Sequence, residues 1–180
     1  MYEITYQGIK PKTSAEAPPA IGIDGSINFA SPFWIFSSIR EDGSNRWQFN
    51  THGFARSKPA IGTDNTIYVG SKTNVFAINS DGTPKWIYTD NLNLESAPAI
   101  GKSGEIYLTG DYFDEQPSTP LVYLFPPNRF LLALNPDGTK KWLFGDGNDS
   151  FSAPAIAADG TIYIGSVSKF YALNPDASAW

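Results

Sequence analysis

Cysteine is absent from this 180-residue chain, which excludes disulfides, thiolate metal centres and cysteine nucleophiles. Histidine occurs once, at His52, and methionine once. Charge is sparse: Asp, Glu, Lys and Arg make up 17% of the chain, below the roughly 25% of an average globular protein. The net charge of −5 argues against a nucleic-acid partner, which would need basic surface to displace counterions. No apolar run approaches the ~20 residues of a spanning helix, so membrane insertion is not expected. Helices also lack room. The longest stretch free of both Gly and Pro is Lys85–Ala97, and it opens on Trp-Ile-Tyr-Thr, which favours a strand. What is plentiful is aromatic: five Trp, nine Tyr and twelve Phe within 41% apolar residues. That is enough for one real core and too apolar for disorder. The chain reads as all-β.

An internal repeat organises it. Four segments superimpose, beginning APPAIG at 17, SKPAIG at 57, SAPAIG at 96 and SAPAIA at 152. Their shared prolines, Pro19, Pro59, Pro98 and Pro154, are spaced by 40, 39 and 56 residues. The tryptophans that follow, Trp47, Trp86, Trp142 and Trp180, are spaced by 39, 56 and 38. The long spacing falls in the same repeat of both series, so the third repeat carries about 17 extra residues within 111–129. Each repeat predicts four strands: a short Pro-Ala-Ile segment, a run such as Thr161–Gly165, an apolar run such as Val75–Ile78 or Phe130–Leu134, and a fourth beginning at the Trp. Asp-Gly pairs at 24–25, 42–43, 81–82, 137–138 and 159–160 mark tight turns that require positive φ. Gly22, Gly62 and Gly101 suggest further tight turning after the first strand. Phe130–Leu134 is apolar on both faces, as a sheet held between two others requires. Four-stranded antiparallel units every ~40 residues are the mark of β-propeller blades. The expected division is a single propeller unit over 1–180: a closing strand and linker over 1–16, then blades over 17–56, 57–95, 96–151 (with the insertion) and 152–180.

The segments Ala77–Trp86 (AINSDGTPKW) and Ala133–Trp142 (ALNPDGTKKW) resemble the tryptophan-docking motif of PQQ-like, quinoprotein-type β-propellers. They differ from it in having Gly-Thr rather than Thr-Gly and in being one residue shorter. The resemblance runs from Ala17 onward. It implies that Trp47, Trp86, Trp142 and Trp180 are structural. It also implies a ligand-binding face formed by two sets of loops. One set joins successive blades: Asn50–Arg56, Thr89–Glu95 and Gly145–Phe151. The other joins strands two and three: Pro32–Phe33, Lys72–Asn74, Asp111–Arg129 and Val167–Ser168. Candidate contact residues on that face are His52, Phe54, Arg56, Asp90, Asn91, Tyr112, Phe113, Asp114, Tyr123, Phe125 and Asp149.

The same resemblance raises the question of redox catalysis. Quinone-cofactor dehydrogenases of the family use eight blades, and many pair adjacent cysteines with a stacked Trp, a catalytic Asp and calcium ligands. This sequence has half the blades and no Cys, so a non-enzymatic binding scaffold without cofactor is the expectation. The alternative is an enzyme on the propeller face, either a quinone-dependent oxidoreductase or a polysaccharide hydrolase or lyase. Asp146 and Asp149, with Asp111, Asp114 and Glu115, could gather oxygens, but their spacing is not that of a calcium loop and no metal is assigned. His52 has no identifiable acidic or nucleophilic partner, and no Gly-x-Ser-x-Gly elbow is present. The aromatic insertion either extends its hairpin or offers a surface to a peptide, a glycan or a protein.

The strand count bears on closure. Tyr2–Gln7 alternates like a strand, while the last repeat reaches Trp180 where its fourth strand should begin. Displacing that strand to the N-terminus fits a four-bladed monomer or two chains forming one eight-bladed ring, and the dimer is the expectation. The N-terminus, MYEITYQGIKPK, has no basic-then-apolar signal layout. Either export uses no such route or a leader has been removed, in which case the resemblance suggests the cell envelope or the exterior.

Overall fold

A computed structural model describes residues 17–31, 34–55, 57–90, 92–94, 96–112, 129–145 and 151–178. The proposed closing strand in 1–16 and Trp180 lie outside these. Among the described residues there is no helix, and hence none long and apolar enough to cross a membrane. The strands form four antiparallel sheets built on one plan. Sheet 1 runs in order β1 (Ala20–Ile21), β2 (Ile27–Ser31), β3 (Ile35–Ile39) and β4 (Asn45–Asn50). Sheet 2 repeats this with β5 (Ala60–Ile61), β6 (Ile67–Gly70), β7 (Asn74–Ile78) and β8 (Pro84–Thr89). Sheet 3 adds a fifth strand: β9 (Leu92–Leu94) pairs β11 beside the order β10 (Ala99–Ile100), β11 (Ile106–Tyr112), β12 (Arg129–Leu134) and β13 (Lys140–Phe144). Sheet 4 contains β14 (Ala155–Ile156), β15 (Ile162–Gly165) and β16 (Phe170–Leu173).

Proline explains the short first strands, since it cannot donate to a ladder. The second and third strands are buried on both faces, as in β6, β7 and β12. Alternate residues serve opposite neighbours, because side chains switch faces at every step. Thus Ile67, Val69, Phe76 and Ile78 pack toward Ala30 and Phe36 of sheet 1, while Tyr68, Val75 and Ala77 pack toward Ile106, Leu108 and Leu132 of sheet 3. Tyr107, Leu131 and Ala133 meet Ile162, Ile164 and Leu173 of sheet 4 in the same way. Each fully buried Leu, Ile or Phe contributes about 1.5–3 kcal/mol, so these seams, rather than the ladders, carry the apolar gain of folding.

The outer strands begin two residues before their tryptophans, not at them. Three indoles of the repeat register reach the next sheet: the Nε1–H of Trp47 donates to Ser80 O, that of Trp86 to Pro136 O and that of Trp142 to Pro175 O, each at 2.9 Å. The acceptors lie in turns whose Asp side chains accept from the N–H two residues on, as Asp81 Oδ1 does from Thr83 at 2.9 Å. These indoles are half-buried, less sequestered than core residues. Beneath two of them the turn glycine sits at positive φ, and a Cβ on Gly82 or Gly138 would lie 2.6 Å from the ring. Gly22, Gly62 and Gly101, by contrast, do not adopt positive φ. A Cβ there would stand under 3.0 Å from the side-chain ends Ser26 Oγ, Asp64 Oδ1 or Glu105 Oε2, and sheet 4 carries Ala157 in the same turn.

Candidate functional site

The links between second and third strands and the links between sheets lie at one end of the array, opposite the tryptophan turns. The second set is pinned by a recurring serine. Ser96 Oγ accepts the Thr109 N–H at 2.7 Å, and Ser152 Oγ accepts the Gly165 N–H at 3.0 Å. Each ties the residue two before the proline of Pro-Ala-Ile to the second strand of its own sheet.

Sheets 1 and 2 present the best-defined surface at this end. Thr51 is fully buried, and its hydroxyl lies 2.9 Å from Trp34 O and 2.7 Å from Gly53 O. Its N–H also donates to Trp34 O at 2.7 Å. These bonds bring the β2–β3 link against the link leaving β4, and both carry left-handed residues: Trp34 at φ 65° and His52 at φ 51°. Such conformations are uncommon outside Gly and persist only where the surroundings impose them. The result is an edge-to-face pair of Trp34 and Phe54, with centroids 6.2 Å apart, in which each ring is about half exposed. His52 is exposed beside it, its N–H donating to Asn50 Oδ1 at 2.8 Å. Phe54 and His52 were expected on this face. Trp34 was not, although it is the one tryptophan that falls outside the repeat register.

The link from sheet 2 to sheet 3 differs from expectation. The segment Thr89–Glu95 contains strand β9 rather than only loop, because β11 runs on to Tyr112 and offers Gly110–Tyr112 as a ladder for Leu92–Leu94. Asn93 Nδ2 donates to Asp111 Oδ1 at 2.8 Å, joining the two. Asp90 accepts from Tyr88 Oη at 2.8 Å and faces Lys140 Nζ at 3.9 Å, so it serves the local structure. Tyr112 ends β11 in register with Leu92. Arg56, Asn91, Phe113, Asp114, Tyr123, Phe125 and Asp149 lie outside the described residues, as do Glu115 and Asp146. Among the described residues no three His, Cys, Asp or Glu side chains stand together as a metal site.

Ionisable groups with displaced titration lie at the opposite end. The Lys85 ammonium and the Thr66 hydroxyl hold the Asp64 carboxyl down at about 2. Asp24 is partly buried, which opposes ionisation, yet bonds from Ser26, Arg46 and Asn65 hold it well below the usual range. Arg46 to Asp24, Lys85 to Asp64 and Lys141 to Glu105, at 2.6, 2.8 and 3.0 Å, tie the start of each outer strand to the first turn of its own sheet. Burial pushes the Tyr107 phenol up to about 12 beneath Trp142. The three ion pairs act within single sheets, and Asp24 and Arg46 also line a cleft of about 540 Å³ with Arg40, Glu41 and Asp42.

No protein-family model and no curated protein matches the chain. Solved structures do resemble it in fold. A protein of unknown function from Bacteroides caccae superimposes with a TM-score of 0.63 at 13% identity, over 94% of this chain and 60% of that one. BamB from Moraxella catarrhalis superimposes with a TM-score of 0.51 at 15% identity, over 96% of this chain and 64% of that one. The chain therefore spans less than two thirds of either structure. At these identities the likeness shows the fold alone: an all-β, β-propeller-like array of antiparallel sheets.

Proposed function

We propose that this chain is a non-catalytic, PQQ-like β-propeller scaffold of four blades that binds a protein segment through the loop end of its sheets. The observation that carries the reading is the Trp34–Phe54 pair, about half exposed and held by strained backbone rather than by a core. Aromatic side chains with little rotamer freedom are favoured at protein interfaces, where they bury area at low entropic cost. Rigid links supply the second element, since loops fixed by buried hydroxyls such as that of Thr51 present such rings in one geometry.

The test uses an array of short extended peptides probed with the wild-type chain and with Trp34→Ala/Phe54→Ala. Binding that weakens about tenfold or more in the double variant supports the reading; no binding, or binding that the variant retains, refutes it. Incubation with pyrroloquinoline quinone and calcium is the second arm. Stoichiometric cofactor absorbance, or dye reduction with alcohols or sugars, would establish the enzymatic alternative instead.

A further inference from the structure

One row of residues recurs across the strands from sheet to sheet. In sheet 2 it is Ala60, Tyr68, Ala77 and Trp86, each standing opposite the next across a strand pair. In sheet 3 it is Ala99, Tyr107, Ala133 and Trp142, and sheet 4 has Ala155, Tyr163 and Ala172 in the same places. The tyrosine ring lies against the indole of its own row, with centroids 5.8 Å apart for Tyr68 and Trp86 and 5.7 Å for Tyr107 and Trp142.

Sheet 1 breaks the row at its centre. The residues in register are Ala20, Asn28, Ser38 and Trp47, so asparagine stands for the tyrosine and serine for the alanine. Ala30 and Phe36 share this face by alternation, and both belong to the core formed with Ile67, Val69, Phe76 and Ile78 of sheet 2. Asn28 and Ser38 therefore point into the seam between sheets 1 and 2, and both are fully buried. Trp47 has Phe36 as its ring neighbour, at 6.2 Å, in place of a tyrosine. The exchange takes most of a phenol ring out of the row and brings hydrogen-bonding groups into it.

One of those groups is satisfied: Asn28 Nδ2 donates to Ser26 Oγ at 3.0 Å and to Ser26 O at 3.3 Å. Asn28 Oδ1 and Ser38 Oγ have no partner among the described residues. They stand directly opposite on β2 and β3, which sets their Cβ atoms about 4.5–5.5 Å apart. A hydroxyl and an amide oxygen so placed could bond each other, yet they do not. Leaving both without a bond would cost more than an ordinary hydrogen bond returns.

We infer that Asn28 and Ser38 hold an internal water between sheets 1 and 2, in the place that a tyrosine ring takes in the following seam. Water suits both atoms, because it donates to the amide oxygen and either donates to or accepts from the hydroxyl. Polar atoms beyond direct reach of each other are bridged in this way at little cost. An internal water needs at least two polar partners and room; the two oxygens are the partners, and the ring that sheet 1 lacks supplies the room. The inference stands apart from the loop-end reading, since the water lies within the seam.

The sign of one substitution tests it. Removing a buried hydroxyl that has no partner relieves a cost, whereas removing one that binds water forfeits a bond. Ser38→Ala should therefore raise the unfolding equilibrium constant about fivefold, measured in urea with an unchanged slope. In an Asn28→Leu background, where the water has lost its other partner, Ser38→Ala should no longer destabilise. Crystallography of the wild type adds a readout that needs no variant to fold: one solvent molecule within hydrogen-bond distance of both oxygens. A stabilised Ser38→Ala chain overturns the inference. So does an equal loss in both backgrounds, or a crystal structure with no solvent between Asn28 and Ser38.

Discussion

Removing the Trp86 indole tests whether a tryptophan of one sheet is a structural part of the next. Full burial would put Trp→Ala at about 3–5 kcal/mol. Trp86 is half-buried, packing on Tyr68 at 5.8 Å while its N–H donates to Pro136 O. Half the packing term plus a partly exposed hydrogen bond of about 1 kcal/mol gives an expected loss of about 2–3 kcal/mol. Gly138→Ala attacks the same contact from the other side. Its φ of 86° costs an alanine about 1–2 kcal/mol. Its Cβ would also stand 2.6 Å from Trp86 Cδ2, which forces the ring away. In the Trp86→Ala background only the backbone cost remains. The double variant should therefore be more stable than the two single losses predict, by about 1 kcal/mol or more. Urea unfolding followed by far-ultraviolet circular dichroism measures all four proteins, with the slope checked for constancy. Trp86→Phe, which keeps a ring but no donor, should lose about 1 kcal/mol. Additive single and double variants would refute the claim that this indole rests on the next sheet's turn.

Three further outcomes follow from the same geometry. Deleting 115–126 should leave the fold intact, because β11 and β12 pair from Ile106–Leu134 to Asp111–Arg129 without them; a chain that no longer gives a cooperative unfolding transition would place those residues in the core. Stability should hold above 3.8 and fall as pH drops toward about 2, since the lowered Asp64 carboxyl is lost through its folded value. Asp64→Asn should flatten part of that fall, by under about 1 kcal/mol after solvent screening, and urea midpoints across this range decide it. Ala177 holds φ 70° where the three equivalent turns have Gly43, Gly82 and Gly138, so Ala177→Gly should raise stability by about 1 kcal/mol; a lower melting temperature would contradict that.

Periodicity made most of the fold legible. Pro-Ala-Ile marks every first strand, Asp-Gly marks the positive-φ turns at Gly25, Gly43, Gly82, Gly138 and Gly160, and the doubly apolar Phe130–Leu134 is fully buried. Where a residue's role depends on what approaches it from elsewhere, pattern misleads. Gly22, Gly62 and Gly101 follow a strand as turn glycines do, yet none takes positive φ, and sheet 4 makes the same turn with Ala157. Strand β9 was read as loop because its ladder exists only where β11 outgrows its counterparts. Trp34 carried a usable signal, being the tryptophan outside the 39-residue register, but repeat matching discards whatever does not repeat.

That asymmetry separates stability from recognition in this molecule. Features that recur from sheet to sheet, such as the indoles of Trp47, Trp86 and Trp142 and the aspartates of the turns, answer the same packing problem each time, and each described indole of this set joins two sheets. Features that occur once escape that constraint. Trp34 and Phe54 project from links that the buried Thr51 hydroxyl ties together, and both rings are about half exposed. Trp34 and Phe54 have no aromatic counterparts among the described residues of the other sheets, so no shared packing demand accounts for them, and recognition is the role proposed for the pair.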